Sequence, residues 1–223
     1  MFCVIDDFLP LDDFREFSLI SKKASSSHWG TRRPYSDSPN WTHHIYKSDY
    51  DDLSTETSKR FGSKLWNIAC LIENRMKQDI DDLPPIFSLG FLFSKHPYVI
   101  RPHFDNIYKH QNFNSPSIVA DSYSAFYYGH DSWDPSWGGI LGFHKSMDVD
   151  KNKSEGFDSD NCFSIEPKPN RLVFYSLDTI HSVTPIVNKN VIRQTLKISF
   201  FRITKIRRHV RSIESQIDHT YDF

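Results

Sequence analysis

Residues 171–202 read RLVFYSLDTIHSVTPIVNKNVIRQTLKISFFR, and this stretch decides the fold class. It holds three short runs of aromatic and β-branched residues, at Arg171–Tyr175, Ser182–Pro185 and Arg193–Arg202, which predict β-strands. Four similar runs come before it, at Phe87–Phe93, Tyr98–Arg101, Tyr123–Tyr128 and Gly139–Phe143. Short strands in this close succession predict a β-sandwich or a barrel.

The first eighty residues differ in texture and predict mainly helix. One helix is expected at Leu11–Ala24, behind Pro10 and with two acidic residues in its first turn. A longer helix is expected at Asp52–Ile80, before Pro84 and Pro85 end helical structure. Apolar side chains recur along it every three or four residues and predict one buried stripe: Phe61, Leu65, Ile68, Ile72 and Met76. Helices first and strands afterwards predict an α+β fold with the helices packed on one sheet.

The composition predicts one well-packed domain over residues 1–223. Of these residues 38% are hydrophobic and 15% are aromatic, which is enough for a single substantial core. We expect a helical part at about 1–85, a β core at about 86–204 and a short basic tail at 205–223. Two long connections, 106–121 and 145–161, interrupt the β core, and their roles stay open.

Charge, cysteine content and hydropathy restrict the partners and the compartment. The net charge of −1 gives no electrostatic case for nucleic acid or for an anionic membrane. Three scattered cysteines, Cys3, Cys70 and Cys162, match neither a disulfide framework nor a zinc knuckle. The sequence has no signal-peptide pattern and no apolar run of membrane-spanning length. These features predict a soluble, cytoplasmic protein whose oligomeric state stays open.

The triplet His103-Phe104-Asp105 follows the predicted strand Tyr98–Arg101. With 11 histidines and 22 aspartates in the chain, roughly one His-x-Asp pattern is expected by chance, so the pattern alone decides nothing. On an extended backbone, however, residues i and i+2 project to the same face, as two ligands of one metal ion must. Imidazole and carboxylate together suit iron(II), manganese or zinc. A third candidate ligand is His181, just after a predicted turn, and a histidine hydrogen-bonded at that turn is the alternative.

The strand that begins at Arg193 supplies the most specific pattern. Its residues alternate between two faces, with Arg193, Thr195, Lys197 and Ser199 on one and Gln194, Leu196, Ile198 and Phe200 on the other. The polar face suits either a solvated surface or a barrel interior that binds a charged ligand, and the spacing leaves both open. The guanidinium of Arg193 is the natural partner of a carboxylate, because its planar fork donates two parallel hydrogen bonds.

Four blocks of sequence resemble the Fe(II)/2-oxoglutarate-dependent oxygenases, in particular the prolyl 4-hydroxylase-like branch. In the expected order, they are Arg101–Asn106; Ala125–Gly129 followed by Trp133, Trp137, Gly138 and Gly139; Asn170–Phe174 leading to His181; and the strand from Arg193 to Phe201. The resemblance covers about residues 86–202, and residues 4–10 are also similar to the opening of such domains.

This resemblance implies a double-stranded β-helix (jelly-roll) fold with iron held by His103, Asp105 and His181. It implies that 2-oxoglutarate chelates the iron, that a C–H bond is hydroxylated, and that ascorbate is a further candidate reductant. No catalytic residue beyond the metal site is expected. The family analogy favours a prolyl residue in a peptide or protein, and a free amino acid or other small molecule is the alternative. A non-catalytic β-helix binding module and a zinc hydrolase with the same three ligands are alternatives from other classes.

The resemblance also implies the co-substrate site. The far carboxylate of 2-oxoglutarate is expected on Arg193, supported by the hydroxyl of Tyr128. Thr195 and Lys197 are further lining candidates, with Lys197 as an alternative to Arg193 for the carboxylate.

Two positions depart from the family pattern. Phe93 stands about where relatives often have a tyrosine that contacts the co-substrate, which predicts the loss of one hydrogen bond. Gly129 and His130 stand where relatives commonly carry Leu-Asn. We expect His130 to be either a surface histidine or a substrate contact. Both departures weaken the transfer of a substrate from the family to this chain.

Overall fold

The computed structural model describes residues 2–26, 40–45, 56–103, 105, 122–145 and 162–200. The predicted loops 106–121 and 145–161 (apart from Lys145), the tail 205–223, Phe104 and the strand end at 201–202 lie outside the described residues. Within the described residues, ten strands form two antiparallel sheets, and two helices cover one of them. The predicted α+β arrangement, with helices on one sheet, is confirmed.

The elements follow one another along the chain with these bounds. The helices are α1 (Leu11–Ser26) and α2 (Glu56–Met76). The strands are β1 (Phe2–Ile5), β2 (Asn40–Ile45), β3 (Ile86–Ser94), β4 (Ile100–His103), β5 (Tyr123–Tyr128), β6 (Leu141–His144), β7 (Cys162–Ile165), β8 (Leu172–Ser176), β9 (Ile180–Val183) and β10 (Arg193–Phe200). The larger sheet has the order β1-β8-β5-β10-β3-β2, and the smaller sheet has the order β4-β9-β6-β7.

The helices pack on the outer face of the larger sheet. Four residues of the predicted stripe of α2 are buried there, Leu65, Ile68, Ile72 and Met76, together with Phe14 and Phe17 of α1. The side chain of Phe61 and residues 52–55 of the predicted helix lie outside the described residues. They meet apolar side chains of the strands, among them Phe91, Tyr127 and Leu196. Burying this much aromatic and aliphatic surface is the main favourable term for the fold. Neither described helix combines the length and the apolar composition needed to cross a bilayer.

A second core fills the space between the two sheets. It combines side chains of the larger sheet with side chains of the smaller one: Phe126, Tyr128, Val173 and Tyr175 from the former, and Leu141, Phe143, Ile165 and Val183 from the latter. Tyr98 and Ile186, from the connections around β4 and after β9, also belong to it. The interior of the sandwich is therefore rich in tyrosine, and its phenol groups are available to polar partners.

Strand β10 lies at the centre of the larger sheet, between β5 and β3, and separates the two cores. Its apolar residues Leu196 and Ile198 pack under the helices. Its polar residues Arg193 and Thr195 point to the other side and are only 4% and 2% exposed. The interpretation of this polar face as a solvated surface is therefore wrong, because the face lies inside the sandwich.

The prediction that the first eighty residues are mainly helical is wrong at two places. β1 pairs with β8 over all four of its residues, and β2 pairs with β3 over all six. Both lie at the edges of the larger sheet, where backbone hydrogen bonds to an existing strand override the helical neighbourhood. The short strand β7 was also missed, because it lies directly after a polar segment.

Three predicted strands start two residues away from the observed ones, β4, β6 and β9, and the differences at β4 and β9 involve the site. β4 runs from Ile100 rather than Tyr98, and it pairs with β9 irregularly, with Pro102 between the paired positions. β9 begins at Ile180 rather than Ser182, because the backbone N–H of Thr179 closes a tight turn on Ser176 O at 2.9 Å. As a result His103 and His181 lie within strands rather than beside them.

Candidate metal centre

His103 and His181 face each other across neighbouring strands. They are direct partners in the β4–β9 register, and their ring centroids are 4.3 Å apart. Phe143 pairs with His181 on the next strand and belongs to the core between the sheets, so these side chains point into the sandwich. The His181 side chain is 2% exposed and that of His103 is 39% exposed, which leaves one side of the pair open.

Each imidazole is oriented by a backbone carbonyl two residues earlier. His103 Nδ1–H donates to Arg101 O at 2.9 Å, and His181 Nδ1–H donates to Thr179 O at 3.1 Å. A hydrogen bond at Nδ1 fixes the tautomer and leaves Nε2 with a lone pair for a metal ion. The two rings are therefore prepared as ligands by their own strands.

Asp105 completes a group of three side chains that fits a metal ion. Its Oδ1 lies 3.4 Å from His103 Nε2 and its Oδ2 lies 3.7 Å from His181 Nε2. The three ligand atoms all lie within 4.8 Å of one another. Two imidazoles and one carboxylate on one side of a metal leave further coordination positions open, the arrangement that suits non-haem iron(II).

Electrostatics keep this group in the protonation state that a metal requires. Burial alone would raise the pKa of Asp105, but the Lys197 ammonium 3.0 Å from Oδ2 and the two histidines hold that pKa well below its usual value. Burial lowers the pKa of His181 to about 4. At neutral pH the carboxylate is therefore charged and the His181 ring is neutral, as metal binding demands.

Tyr175 is a site residue that the sequence reasoning missed. Its hydroxyl donates to Asp105 Oδ2 at 3.0 Å and lies 3.4 Å from His181 Nε2. Burial raises the pKa of Tyr175 well above its usual value, so the phenol remains a donor. Val173 and Tyr175 are two residues apart on one strand and therefore point to the same, inner face. This alternation is the sequence pattern that could have indicated Tyr175 as a site residue.

A second polar group lies further along β10, at Arg193. Arg193 Nη1 donates to Gly139 O at 2.9 Å, and the guanidinium carbon lies 5.5 Å above the Tyr98 ring. Thr195 pairs directly with Tyr128 of β5. Three buried polar atoms here have no hydrogen-bond partner among the described residues: Arg193 Nε, Tyr128 Oη and Thr195 Oγ1.

These unpaired groups require an anionic or strongly accepting ligand. Within the described part of the chain no carboxylate forms an ion pair with Arg193, and a buried charge without a partner costs several kcal/mol. Burial raises the pKa of Tyr128, so its phenol is protonated and can donate. A ligand carboxylate would accept hydrogen bonds from the guanidinium, the phenol and the threonine hydroxyl together. The residues therefore fit the far carboxylate of a dicarboxylate.

Lys197 lies at the other end of the same face. Its ammonium pairs with Asp105 and lies 5.7 Å from the Phe126 ring centroid, and it contacts the metal group rather than Arg193. The expectation that Lys197 is an alternative to Arg193 for the far carboxylate does not match this geometry. The polar face thus has a metal end at Lys197 and a carboxylate end at Arg193.

A family model described as the 2OG-Fe(II) oxygenase superfamily matches residues 91–201, about half of the chain. The chain belongs to the 2OG-Fe(II) oxygenase superfamily. The match includes the histidine pair, Asp105 and the whole of β10. Membership implies Fe(II) and 2-oxoglutarate as the metal and the co-substrate.

Three solved structures support the fold of this superfamily member. A prolyl-4-hydroxylase from Pseudomonas putida is 17% identical, with a TM-score of 0.57, over 91% of this chain and 92% of that chain. A prolyl hydroxylase from Trichoplax adhaerens, in complex with a hypoxia inducible factor oxygen degradation domain peptide fragment, is 12% identical, with a TM-score of 0.58, over 90% and 83%. HygX from Streptomyces hygroscopicus, with nickel and 2-oxoglutarate bound, is 10% identical, with a TM-score of 0.57, over 90% and 82%. No curated protein sequence matches the chain.

The Gly-Gly turn of this oxygenase holds Arg193 in place. Gly138 has φ +78°, and a Cβ there would lie 1.9 Å from Pro185 O. Gly139 has φ +70°, and a Cβ there would lie 3.5 Å from Arg193 Cδ and 3.1 Å from the Trp133 ring. Only glycine fits this close approach of the turn to the β9–β10 connection. The motif expected from the resemblance thus supplies the carbonyl that accepts from Arg193.

Replacing Gly138 with alanine is expected to lower the free energy of unfolding by about 2 kcal/mol or more. The methyl group would meet a backbone oxygen, and the positive φ disfavours any side chain. Gly139→Ala meets mainly side chains and should cost less stability, yet it should weaken 2-oxoglutarate binding by displacing Arg193. Urea unfolding and co-substrate titration of both variants measure these effects. An unchanged unfolding midpoint for Gly138→Ala would contradict the geometry.

The structure buries two unusual residues of the oxygenase: the surface position expected for His130 is wrong, whereas the hydrogen bond expected to be lost at Phe93 stays a prediction. Phe93 lies in the core under the helices, and the aromatic residue beside Arg193 is Tyr98. His130 is 3% exposed and is neither a surface histidine nor open to a substrate. It donates from Nε2 to Pro167 O at 2.5 Å and accepts the Gln194 N–H at Nδ1. A buried neutral histidine here ties the β5 end to the start of β10.

The metal-free oxygenase is expected to lose stability as the pH falls from 6.5 towards 4, in part through His130. Burial lowers the pKa of His130 to about 4, whereas an unfolded histidine titrates near 6.5. In this window the unfolded chain binds a proton that the folded chain does not, which costs the folded state about 3 kcal/mol by pH 4. Unfolding by urea at pH 7 and at pH 4 should show a smaller loss for His130→Gln. Equal losses of unfolding free energy in wild type and His130→Gln would contradict a buried, neutral His130 ring.

Proposed function

We propose that the protein is an Fe(II)- and 2-oxoglutarate-dependent dioxygenase with a double-stranded β-helix core, which hydroxylates a C–H bond of a prolyl residue in a peptide or protein. One observation carries the proposal. The three metal-ligand candidates and the Arg193 site, whose Nε has no partner among the described residues, both lie in the interior of the sandwich, and strand β10 reaches the first through Lys197 and the second through Arg193. A binding module would have no need for both groups.

The proposed roles follow from the contacts. His103, Asp105 and His181 would hold iron through two Nε2 atoms and one carboxylate oxygen. Arg193 would hold the far carboxylate of 2-oxoglutarate, with Tyr128 and Thr195 as supporting donors. When bound, the iron and 2-oxoglutarate together supply the activation of dioxygen, with release of succinate and carbon dioxide. Ascorbate as a further reductant stays a prediction.

The chain itself would orient the reactants and exclude water. The buried rings of Tyr98 and Tyr128 lie beside Arg193 and would exclude water from the co-substrate end. A dry pocket strengthens the charged hydrogen bonds of Arg193. The half-exposed ring of His103 marks the side from which a substrate would reach the metal.

The substrate class rests on the likeness to known hydroxylases. Two structural neighbours are prolyl hydroxylases, and one of them holds a peptide fragment. A small-molecule substrate is a second candidate class, supported by the likeness to SnoN, a non-heme alpha ketoglutarate dependent epimerase from nogalamycin biosynthesis, at a TM-score of 0.58. Fold likeness is a weak guide to substrate, so the two classes must be separated by experiment.

The decisive experiment is an anaerobic titration of metal-free protein with Fe(II) and then with 2-oxoglutarate. The visible absorption band of an iron-bound 2-oxo acid should appear only when both are present. Succinate formation in air is then measured with proline-containing peptides, free proline and a panel of small hydroxylated compounds. Stimulation by peptides alone would support the prolyl substrate, and stimulation by small molecules alone would replace it with the second class. A folded protein that gives no band would contradict the oxygenase, and tight zinc binding with hydrolysis would favour the alternative metal chemistry.

A further inference from the structure

One oxygen of Asp105 has two donors that the metal chemistry does not require. Lys197 Nζ and Tyr175 Oη each lie 3.0 Å from Asp105 Oδ2. The other oxygen, Oδ1, lies towards His103 Nε2. Oδ2 itself lies 3.7 Å from His181 Nε2, so the Lys197 charge lies against the same carboxylate that faces both histidines.

We propose that Lys197 is an internal cation of the metal centre, which competes with the metal ion for Asp105. The inference rests on the proposed function, since it assigns Asp105 to a metal ion. In the metal-free protein the ammonium neutralises a carboxylate that is only 10% exposed and would otherwise be a costly buried charge. A divalent ion on the same carboxylate meets a like charge in a medium of low dielectric. Lys197 therefore lowers the affinity of the site for the metal.

Tyr175 acts on the same oxygen with the opposite effect. Its phenol is buried and neutral, so it orients Asp105 without repelling a cation. Losing this hydrogen bond removes a support for the ligand carboxylate. In comparable sites, the loss of such an outer-shell partner weakens metal binding by roughly 10- to 100-fold. Removal of the Lys197 charge should therefore raise the metal affinity, whereas removal of the Tyr175 hydroxyl should lower it. If both substitutions merely loosened the site, both would lower the metal affinity.

The effect of Lys197 is separable from co-substrate binding. Lys197 and Arg193 lie on the same face of β10 but four residues apart, which is about 13 Å along an extended strand. Lys197 contacts Asp105, whereas Arg193 contacts Gly139 and Tyr98. Arg193→Met is therefore expected to leave metal affinity unchanged.

The test is Mn(II) binding to the metal-free full chain, measured by calorimetry and by electron paramagnetic resonance of unbound Mn(II). Lys197→Met is expected to bind Mn(II) about tenfold more tightly or better than wild type. Lys197→Gln should behave alike, and Lys197→Arg should keep the wild-type affinity because it keeps the charge. Tyr175→Phe should bind about tenfold more weakly. Lys168→Met, which removes a surface lysine paired with Asp6, is the matched control and should not change.

The outcomes separate the two proposals. If wild type binds Mn(II) and both neutral Lys197 variants bind it equally or more weakly, the competition is wrong and the oxygenase assignment stands. If wild type binds no divalent ion, the proposed function fails, and this inference fails with it. Tighter Mn(II) binding in Lys197→Met or Lys197→Gln, together with wild-type affinity in Lys197→Arg, supports Lys197 as the internal cation. Circular dichroism of each variant verifies that the comparison is between folded proteins.

Discussion

Exchange of His181 for alanine is expected to raise the Kd for Fe(II) at least about 100-fold and to abolish 2-oxoglutarate-dependent succinate formation. His181 is the most buried of the three proposed ligands, and its Nδ1 hydrogen bond commits Nε2 to the metal. Without it, the ion would be held by Asp105 and the half-exposed His103 alone. Metal titration and succinate analysis of the same preparation measure both effects.

The matched control is His144→Ala. His144 lies on the neighbouring strand β6 and, by strand alternation from Phe143, points away from the metal group. Its ring bonds Ser182 Oγ at 2.7 Å, so its loss tests the general effect of removing a histidine from this sheet. Metal affinity should be unaffected. A His181→Ala protein that is folded and binds Fe(II) like wild type would exclude the proposed ligand set.

Exchange of Arg193 for methionine is expected to raise the Kd for 2-oxoglutarate about 100-fold or more while leaving Fe(II) binding unchanged. The guanidinium is buried, its Nε has no partner, and a ligand carboxylate would complete its hydrogen bonds. Losing one partner of a buried charge pair typically costs a binding reaction several kcal/mol. Co-substrate titration of the iron-loaded protein, under anaerobic conditions, measures the change.

A second ligand sharpens this experiment. 2-Oxobutyrate keeps the metal-chelating group of 2-oxoglutarate but lacks the far carboxylate, so wild type should bind it far more weakly. Arg193→Met should show little preference between the two acids. Arg75→Met removes an arginine of α2 that pairs with Asp79 on the surface and serves as the matched control. If Arg193→Met keeps the wild-type preference for 2-oxoglutarate, the carboxylate site lies elsewhere.

Alternation and residue chemistry predicted the parts of the fold and site that depend on local pattern. The period of two predicted which residues of β10 share a face. The structure then showed which face lies inside the sandwich, since Leu196 and Ile198 pack under the helices while Arg193 and Thr195 are buried on the other side. The stripe of α2 follows from a period of three and four. His103, Asp105 and His181 were selected because their types suit one metal, and the structure brings them together.

What the sequence could not predict depends on partners distant along the chain. β1 exists because β8 offers a free backbone edge, which residues 2–5 cannot reveal on their own. His130 is buried because Pro167 and Gln194 supply its hydrogen bonds from two other segments. Tyr175 reads as an ordinary strand residue until Asp105 is placed against it. Such contacts are set by tertiary packing, which propensity and pattern do not encode.

The two-sided use of β10 also restricts how this chain can diversify. A one-residue insertion within the strand would exchange its faces, turning Leu196 towards the metal and Lys197 towards the helices. Such an insertion would disrupt the core under the helices and the metal centre together, so we expect selection to remove variants that carry it. Insertions in the connections between strands face no such double penalty. New substrate ranges are therefore expected to arise in the connections, while the length of β10 is inherited unchanged.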